Sequence, residues 1–520
     1  MSIQLVPIKG MAVILISLLI CPITIQAVSS TPYFQSVEIS YATYFGGSGI
    51  EEVSEVACGQ DGSVAIVGHT SSPDLRTSED AFQADYSGGQ WDIFVAKFDA
   101  NGNLVFSSFL GGSGYEHVDD VVIRSDGSVV VVGFTLSLDF PVTLDAIQPS
   151  PSGETDGFIA RISSDGKTLI YSTYYGGHLR DTIRSIRLDQ DENYLVAGTA
   201  ASTELATDSA FQTQPSGGPD LFIAKIAHDG SSTIMFSYCG GNKDDRIECL
   251  AIDSSNNYIL SGQTSSHDFP TTEDAYQKSN SGGWDAFLTK LSSNGTNLLY
   301  STYIGGSSED SGRGVAVNSL DEIVVAGYTS STDLSTLSPL QSEHAGGYCD
   351  ILVYKCTSTG TTKYVTYLGG SELDISYGVV FDDNDRPIIV GRSLSDDFPI
   401  NNSFQEQRVG HLDTTITMLT ADGQTILFSS YIGGTKEDSG ESISLGNDSV
   451  IAISGRTASA DFPCTEDAYQ TNIGGSYDVF LCVVQYSSSQ DSASVLGPLI
   501  AVVIFSTVVI VIVINKWHKE

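Results

Sequence analysis

The sequence predicts an all-β chain, a seven-bladed β-propeller with four antiparallel strands per blade and one C-terminal transmembrane helix. Three observations carry the propeller. A Gly-Gly pair follows an aromatic and one other residue seven times, at Gly46-Gly47, Gly111-Gly112, Gly176-Gly177, Gly240-Gly241, Gly305-Gly306, Gly369-Gly370 and Gly433-Gly434. The spacings are 65, 65, 64, 65, 64 and 64 residues, a period that marks a repeat architecture. Each interval holds four short strand-like runs, and the two chain ends complement each other.

The third interval shows the four runs in order. Thr182–Leu188 alternates like a strand, and the polar turn 189–193 leads to a second strand, Tyr194–Gly198. A loop of about twenty residues precedes the third strand, Asp220–Ile226. His228-Asp229-Gly230 is a hairpin signal, because Asp-Gly supplies the positive φ of a tight turn. Ser232–Tyr238 is the fourth strand and runs into the next Gly-Gly. The hairpin signal recurs at Asn101-Gly102, Asp165-Gly166, Asn294-Gly295 and Asp422-Gly423, and the second run ends in glycine each time, at Gly68, Gly133, Gly198, Gly262, Gly327, Gly391 and Gly455. Four strands in 65 residues cannot bury a sandwich core alone, and seven copies without an atypical cap argue for a ring over an open solenoid.

Closure has its own signature. One strand, Val37–Tyr44, precedes the first Gly-Gly, and only three follow the last, ending at 480–485. The N-terminal strand can therefore complete the last blade and remove two exposed sheet edges.

The repeat carries a family resemblance. Tyr303-Ile304-Gly305-Gly306, Tyr258–Gly262 and Thr264–Pro270 followed by Thr272–Gln277 resemble the seven-bladed β-propeller repeat family, the SBBP repeats. The Asp-Phe-Pro element recurs at Asp139, Asp397 and Asp461, and is degraded near Asp74, Glu204 and Asp333. The resemblance covers about 37–485. It implies an extracellular or surface-attached propeller of prokaryotic type and transfers no catalytic residue.

The ends set the expected compartment. Lys9, the apolar run Met11–Cys21 and Ala27 read as a signal peptide over 1–27. Leu496–Ile514 carries no charge over nineteen residues, enough to cross about one hydrocarbon core as a helix, and Lys516, Trp517, His518 and Lys519 form the stop at its end. The expected domains are thus a leader at 1–27, a propeller ectodomain at 28–490 and an anchor with a short internal tail at 491–520, a type I topology at the cell membrane. The 520 residues include 24 Lys+Arg and 63 Asp+Glu, a net charge of −39. Setting aside Lys9, Lys516, Lys519 and Glu520 leaves 21 bases against 62 acids, a net of −41 outside the membrane. Such a surface repels nucleic acid and anionic lipid and attracts cations. The seven cysteines beyond Cys21 sit at unrelated places in the repeat with no C-x-x-C, which supports neither zinc nor a redox motif.

Two sets of residues are candidate sites. An acid stands four residues after each second glycine: Glu51, Glu116, Asp181, Asp245, Asp310, Asp374 and Asp438. As a ring near one channel mouth these would bind a cation, and Ca²⁺ suits their hard oxygens. As turn residues they would each accept backbone N–H bonds, and strict repetition favours this second role. The residue after the second-strand glycine varies instead: His69, Phe134, Thr199, Gln263, Tyr328, Arg392 and Arg456. Variation on a fixed frame marks a recognition surface, with His69, Phe134, Gln263, Tyr328, Arg392 and Arg456 as ligand-binding candidates. The histidines are scattered and no G-x-S-x-G elbow occurs, so no catalytic residue is assigned. The functional expectation is a membrane-anchored binding, adhesion or surface-layer propeller for surface proteins or glycans. The rival is a propeller enzyme acting on extracellular polysaccharide.

Overall fold

A computed structural model describes residues 5–8, 11–14, 34–447 and 450–488. The chain divides into two units, 36–487 and the two ends together. Of the ends, the described part is an antiparallel hairpin of Leu5–Ile8 with Met11–Ile14. The rest of the expected leader and the expected span 496–514 lie outside the described residues. No described helix is long and apolar enough to cross a membrane.

The second unit is seven four-stranded antiparallel sheets. The first blade runs Glu51–Cys58, Val64–Thr70, Asp92–Phe98 and Leu104–Leu110. Five more blades repeat this order, with innermost strands that begin at Glu116, Asp181, Asp245, Asp310 and Asp374. In the last sheet Asp438–Leu445, Val450–Thr457 and Asp478–Ser488 are joined by Phe34–Phe45 as the outer strand. The N-terminal strand thus closes the ring as its sequence implied. The innermost strands of first and last blades also meet, where Val56 N–H donates to Ser442 Oγ at 3.0 Å.

Alternating apolar residues fill the space between neighbouring sheets. One such layer joins Val67, Val95, Val121, Val131 and Phe158 from the first two blades. The outer strand contributes a tyrosine lock in six blades. Tyr303 is a type case: its hydroxyl donates to Ser266 O at 2.8 Å and accepts from Phe269 N–H at 2.9 Å. This explains the Asp-Phe-Pro element, since Phe269 is its aromatic, while its acid Asp268 caps Asn242 N–H at 2.8 Å. All seven cysteines of the propeller are free.

The second strand does not end at its glycine. It continues for two residues in every blade, so the variable position is a strand residue and not part of an exposed loop. Each glycine is there for a steric reason. Opposite it the innermost strand bulges, skipping one residue of the register in all seven blades. The bulge presses a carbonyl into the glycine: a Cβ on Gly327 would lie 1.9 Å from Ser311 O, and one on Gly133 would lie 1.9 Å from His117 O. No side chain fits there.

Candidate functional site at the channel mouth

The bulge decides what faces the channel. A bulged strand carries one residue unpaired and re-aims it. The skipped residues are Ser54, Asp119, Arg184, Glu248, Arg313, Tyr377 and Glu441. All seven are half-buried and line one central cavity of about 950 Å³. Sequence reasoning missed them, because a bulge is a property of register between strands. Each lies beside the variable second-strand position of its own blade. The mouth therefore presents seven different pairs, from Ser54 with His69 to Glu441 with Arg456.

Neighbouring blades answer one another's charges. Arg184 Nη1 lies 2.6 Å from Asp119 Oδ1 across the second and third blades, and Arg187 lies 2.8 Å from Asp120. Arg456 lies 3.0 Å from Glu52 and 3.5 Å from Glu441. Burial pushes the Glu441 carboxyl up to about 7 despite that arginine. Deeper in the channel burial, with Asp120 nearby, pushes Glu55 up to about 8. His69 is held neutral: its Nε2 accepts Val118 N–H at 3.1 Å, and burial beside His117 brings its pKa down to about 3. The His117 ring stacks on Phe134 at 5.0 Å. Of the expected ligand-binding residues, His69, Arg392 and Arg456 line the cavity. Phe134 and Tyr328 stand behind it, the latter 5.4 Å from the Arg313 guanidinium. Gln263 pairs with Arg246 across the strands, away from the cavity lining.

The seven repeated acids are placed differently from a channel ring. The cavity lining begins one residue after the acid in the first two blades, at Glu52 and His117, and three residues after it in the other five, and the acids turn into the joints between blades. Asp310 Oδ2 accepts Gly306 N–H at 2.8 Å and Ser331 O–H at 2.8 Å. Asp374 and Asp438 repeat this with Gly370 and Ser395, and with Gly434 and Ser459. These donors give each acid the turn role, while its other oxygen, as at Asp310 Oδ1, Asp374 Oδ1 and Asp438 Oδ1, is buried without a partner. No group of three or more His, Cys, Asp or Glu side chains placed to hold a metal occurs among the described residues. Asp310→Ala should strand two buried donors and cost about 2–4 kcal/mol. Urea melts of the variant and wild type, with calcium or EDTA at matched ionic strength, check this. A calcium-dependent stabilisation lost in the variant would instead make Asp310 a metal ligand.

A second acid per joint was not singled out in the sequence. Asp92, Asp156, Asp220, Asp285, Asp350, Asp413 and Asp478 open the third strands and are buried. In six of the seven blades a glutamine links the two sides, as Gln277 does. Its Nε2 donates to Asp285 Oδ2 at 2.8 Å and its Oε1 accepts Gly305 N–H at 3.0 Å. The first glycine of each pair sits between the two acids. A Cβ on Gly305 would be 2.7 Å from Asp310 Oδ2 and 2.8 Å from Asp285 Cγ.

No family model matches the chain. Over 355 residues it is 24% identical to the regulatory protein FlaEY of Caulobacter vibrioides, covering 63% of this chain and 35% of that protein. The chain thus spans about a third of the length of that relative. Among solved structures it is similar to a protein of unknown function from Dyadobacter fermentans, at 10% identity over 87% of this chain and 100% of that one, with a TM-score of 0.38. It is also similar to the PQQ-bound aldose sugar dehydrogenase of Streptomyces coelicolor, at 11% identity over 87% and 100%, with a TM-score of 0.33. At these scores neither structure bears on what this mouth does.

Proposed function

We propose that this chain is a binding propeller displayed outside the cell, held to the membrane by 496–514, that takes its partner at the channel mouth. The observation that carries the reading is the contrast between frame and mouth. The Gly-Gly, an acid at the joint and the second-strand glycine recur in every blade, whereas the pair formed by the bulged residue and its neighbour is different in each of the seven, although Arg and Glu recur within the pairs. A frame that repeats for folding while one surface diversifies is a scaffold for an asymmetric ligand. The charge of the ectodomain supports a soluble face in a saline medium.

The anchor and the mouth are tested separately. A chain ending at Ser492 should appear in the culture medium, and the full chain should sediment with membranes after a high-salt wash. Recovery of the shortened chain in the membrane pellet would count against the anchor. The secreted propeller should retain surface glycans or surface proteins, and Tyr377→Ala should weaken that retention at least tenfold with an unchanged melt.

A further inference from the structure

The mouth is not evenly balanced in charge. Between the second and third blades Arg184 and Arg187 each meet a carboxylate, and on the last Arg456 meets two. Arg313 and Arg392 differ. Neither guanidinium makes an ion pair within 4 Å or a hydrogen bond among the described residues, in a chain with 63 acids against 24 bases, and the acid that feels Arg392, Glu441, is bridged to Arg456 instead. Both instead lie over one aromatic ring, Arg313 at 4.8 Å and Arg392 at 5.2 Å from the centroid of Tyr377. The Nε of each is buried without a partner. Two unpaired guanidiniums held on one ring is an arrangement that an anion completes, since each presents a planar fork matched to a carboxylate.

A second observation gives the anion a body. Arg392 and Arg456 also line a side pocket of about 150 Å³ between the sixth and seventh blades, with Leu373, Leu394 and Leu412 as apolar walls and His411, Ser439 and Glu437 at its edges, the Glu437 carboxylate being held by the Tyr477 hydroxyl at 2.8 Å. That is room for about one sugar ring, with apolar walls for its faces and polar groups at its edges. A peptide fits less well, because it binds a sheet edge through its backbone. Innermost-edge N–H groups such as those of Val56, Ile186 and Leu250 already donate to Ser442, Asp120 and Ser185 of the neighbouring blades.

We infer that Arg313, Tyr377 and Arg392 form a subsite for a carboxylate-bearing sugar, so that the propeller's ligand is an acidic, uronate-containing glycan. This rests on the reading of the mouth as a binding surface. The guanidiniums take the carboxylate, Tyr377 holds both in place, and the side pocket receives the ring next to it. Arg456 is already neutralised by Glu52 and Glu441 and supplies shape more than charge.

The test uses the full chain in detergent, titrated calorimetrically with a galacturonate oligosaccharide, its methyl ester and an oligoglutamate peptide. The acid sugar should bind, its affinity should fall with added salt, and the neutral ester should bind at least tenfold more weakly. Arg392→Gln and Arg313→Gln should each weaken the acid sugar at least tenfold, and Arg392→Lys should recover part of the loss. Thermal melts of all variants should match wild type. No binding of the acid sugar, equal binding of the ester, indifference to the two glutamine variants, or preference for the peptide would each overturn the uronate subsite. If the ester or peptide binds and Tyr377→Ala abolishes it, the mouth still stands as the binding surface and only its ligand class is wrong. If Tyr377→Ala changes no binding, the mouth itself is wrong.

Discussion

Deletion of residues 37–44 should leave a propeller that does not close. These residues supply most of the outer strand of the last blade, and that strand is held by more than its ladder. The Tyr44 hydroxyl donates to Ser459 O at 2.7 Å and accepts Phe462 N–H at 3.1 Å. Gln470 N–H donates to Thr43 Oγ1 at 2.9 Å, and Thr465 N–H to Ala42 O at 3.0 Å. Tyr41 and Tyr44 are both buried. Removing a buried large aromatic costs about 3–5 kcal/mol. Two of them, with four lost hydrogen bonds, approach the whole ~5–15 kcal/mol of a typical domain. The deleted chain should aggregate or run as an expanded species in size exclusion, with no cooperative melt. Tyr44→Phe is the graded control. It leaves Ser459 O and Phe462 N–H unsatisfied and should cost about 1–3 kcal/mol while the ring still forms. A deleted chain that melts like the full one would show that the ring does not depend on this strand.

The features that were legible in the sequence are those that folding requires identically in every blade. A Cβ on Gly46 would lie 2.5 Å from Asp478 Cγ and 2.6 Å from Glu51 Oε2, and one on Gly47 would lie 2.5 Å from Ser72 Cβ, so neither position takes a side chain without displacing its neighbours. Such constraints recur at fixed spacing and so announce themselves. The acid after each Gly-Gly was visible for the same reason. Its direction was not, because whether it faces the channel or the joint depends on where the inner strand begins relative to the turn. The third-strand acids repeat just as strictly, and Gln83, Gln148, Gln212, Gln277, Gln341, Gln405 and Gln470 with them, so a signal was present. They pass as ordinary strand-end polar residues until the fold brings Asp285 beside Asp310. The channel ring was least legible. Arg313 and Tyr377 share no residue type with their equivalents in most blades, and only the slipped pairing, Gly312 with Gly327 and then Gly314 with Ala326, shows that they project together.

The joint acids should make the propeller more stable in weak acid than in weak base. Fourteen buried carboxyls sit two per joint, and among the described residues the only basic side chain within 4 Å of any is His344, 3.9 Å from Asp350, and burial holds that imidazole toward its neutral form. Burial, with the partner acid adding to it, pushes Asp92 and Asp220 up to about 7. Burial likewise raises Asp310, Asp350, Asp374 and Asp413 to about 6. A carboxyl raised in the folded chain holds its proton there and loses it on unfolding. Its contribution is complete below the unfolded value near 4 and is lost as pH rises through about 6 to 7. Exposed acids such as Asp74, Asp139 and Asp461 run the other way, since donors from Ser48, Ser113 and Thr435 lower them, and their contribution fades only on strong acidification. The optimum should therefore fall between about pH 4 and 6, with each raised group losing about 1.4 kcal/mol per pH unit above its partner-free value until it ionises in the folded chain. Self-repulsion of a chain at −39 has the same sign, but salt screens it, whereas buried pairs are screened much less. Melts at pH 5 and pH 8 in high salt separate the two. Asp92→Asn gives the decisive comparison. Asp92 Oδ1 and Glu116 Oε2 both lack a partner and both flank Gly111, so an amide nitrogen in place of Oδ1 faces the other carboxylate while the amide oxygen keeps the Ser87 N–H bond. The variant should gain stability at pH 8 and lose less between pH 5 and pH 8 than wild type does. A wild-type melt that is flat across this range in high salt, or an Asp92→Asn variant that is destabilised at pH 8, would mean that the joint acids do not hold protons in the folded ring.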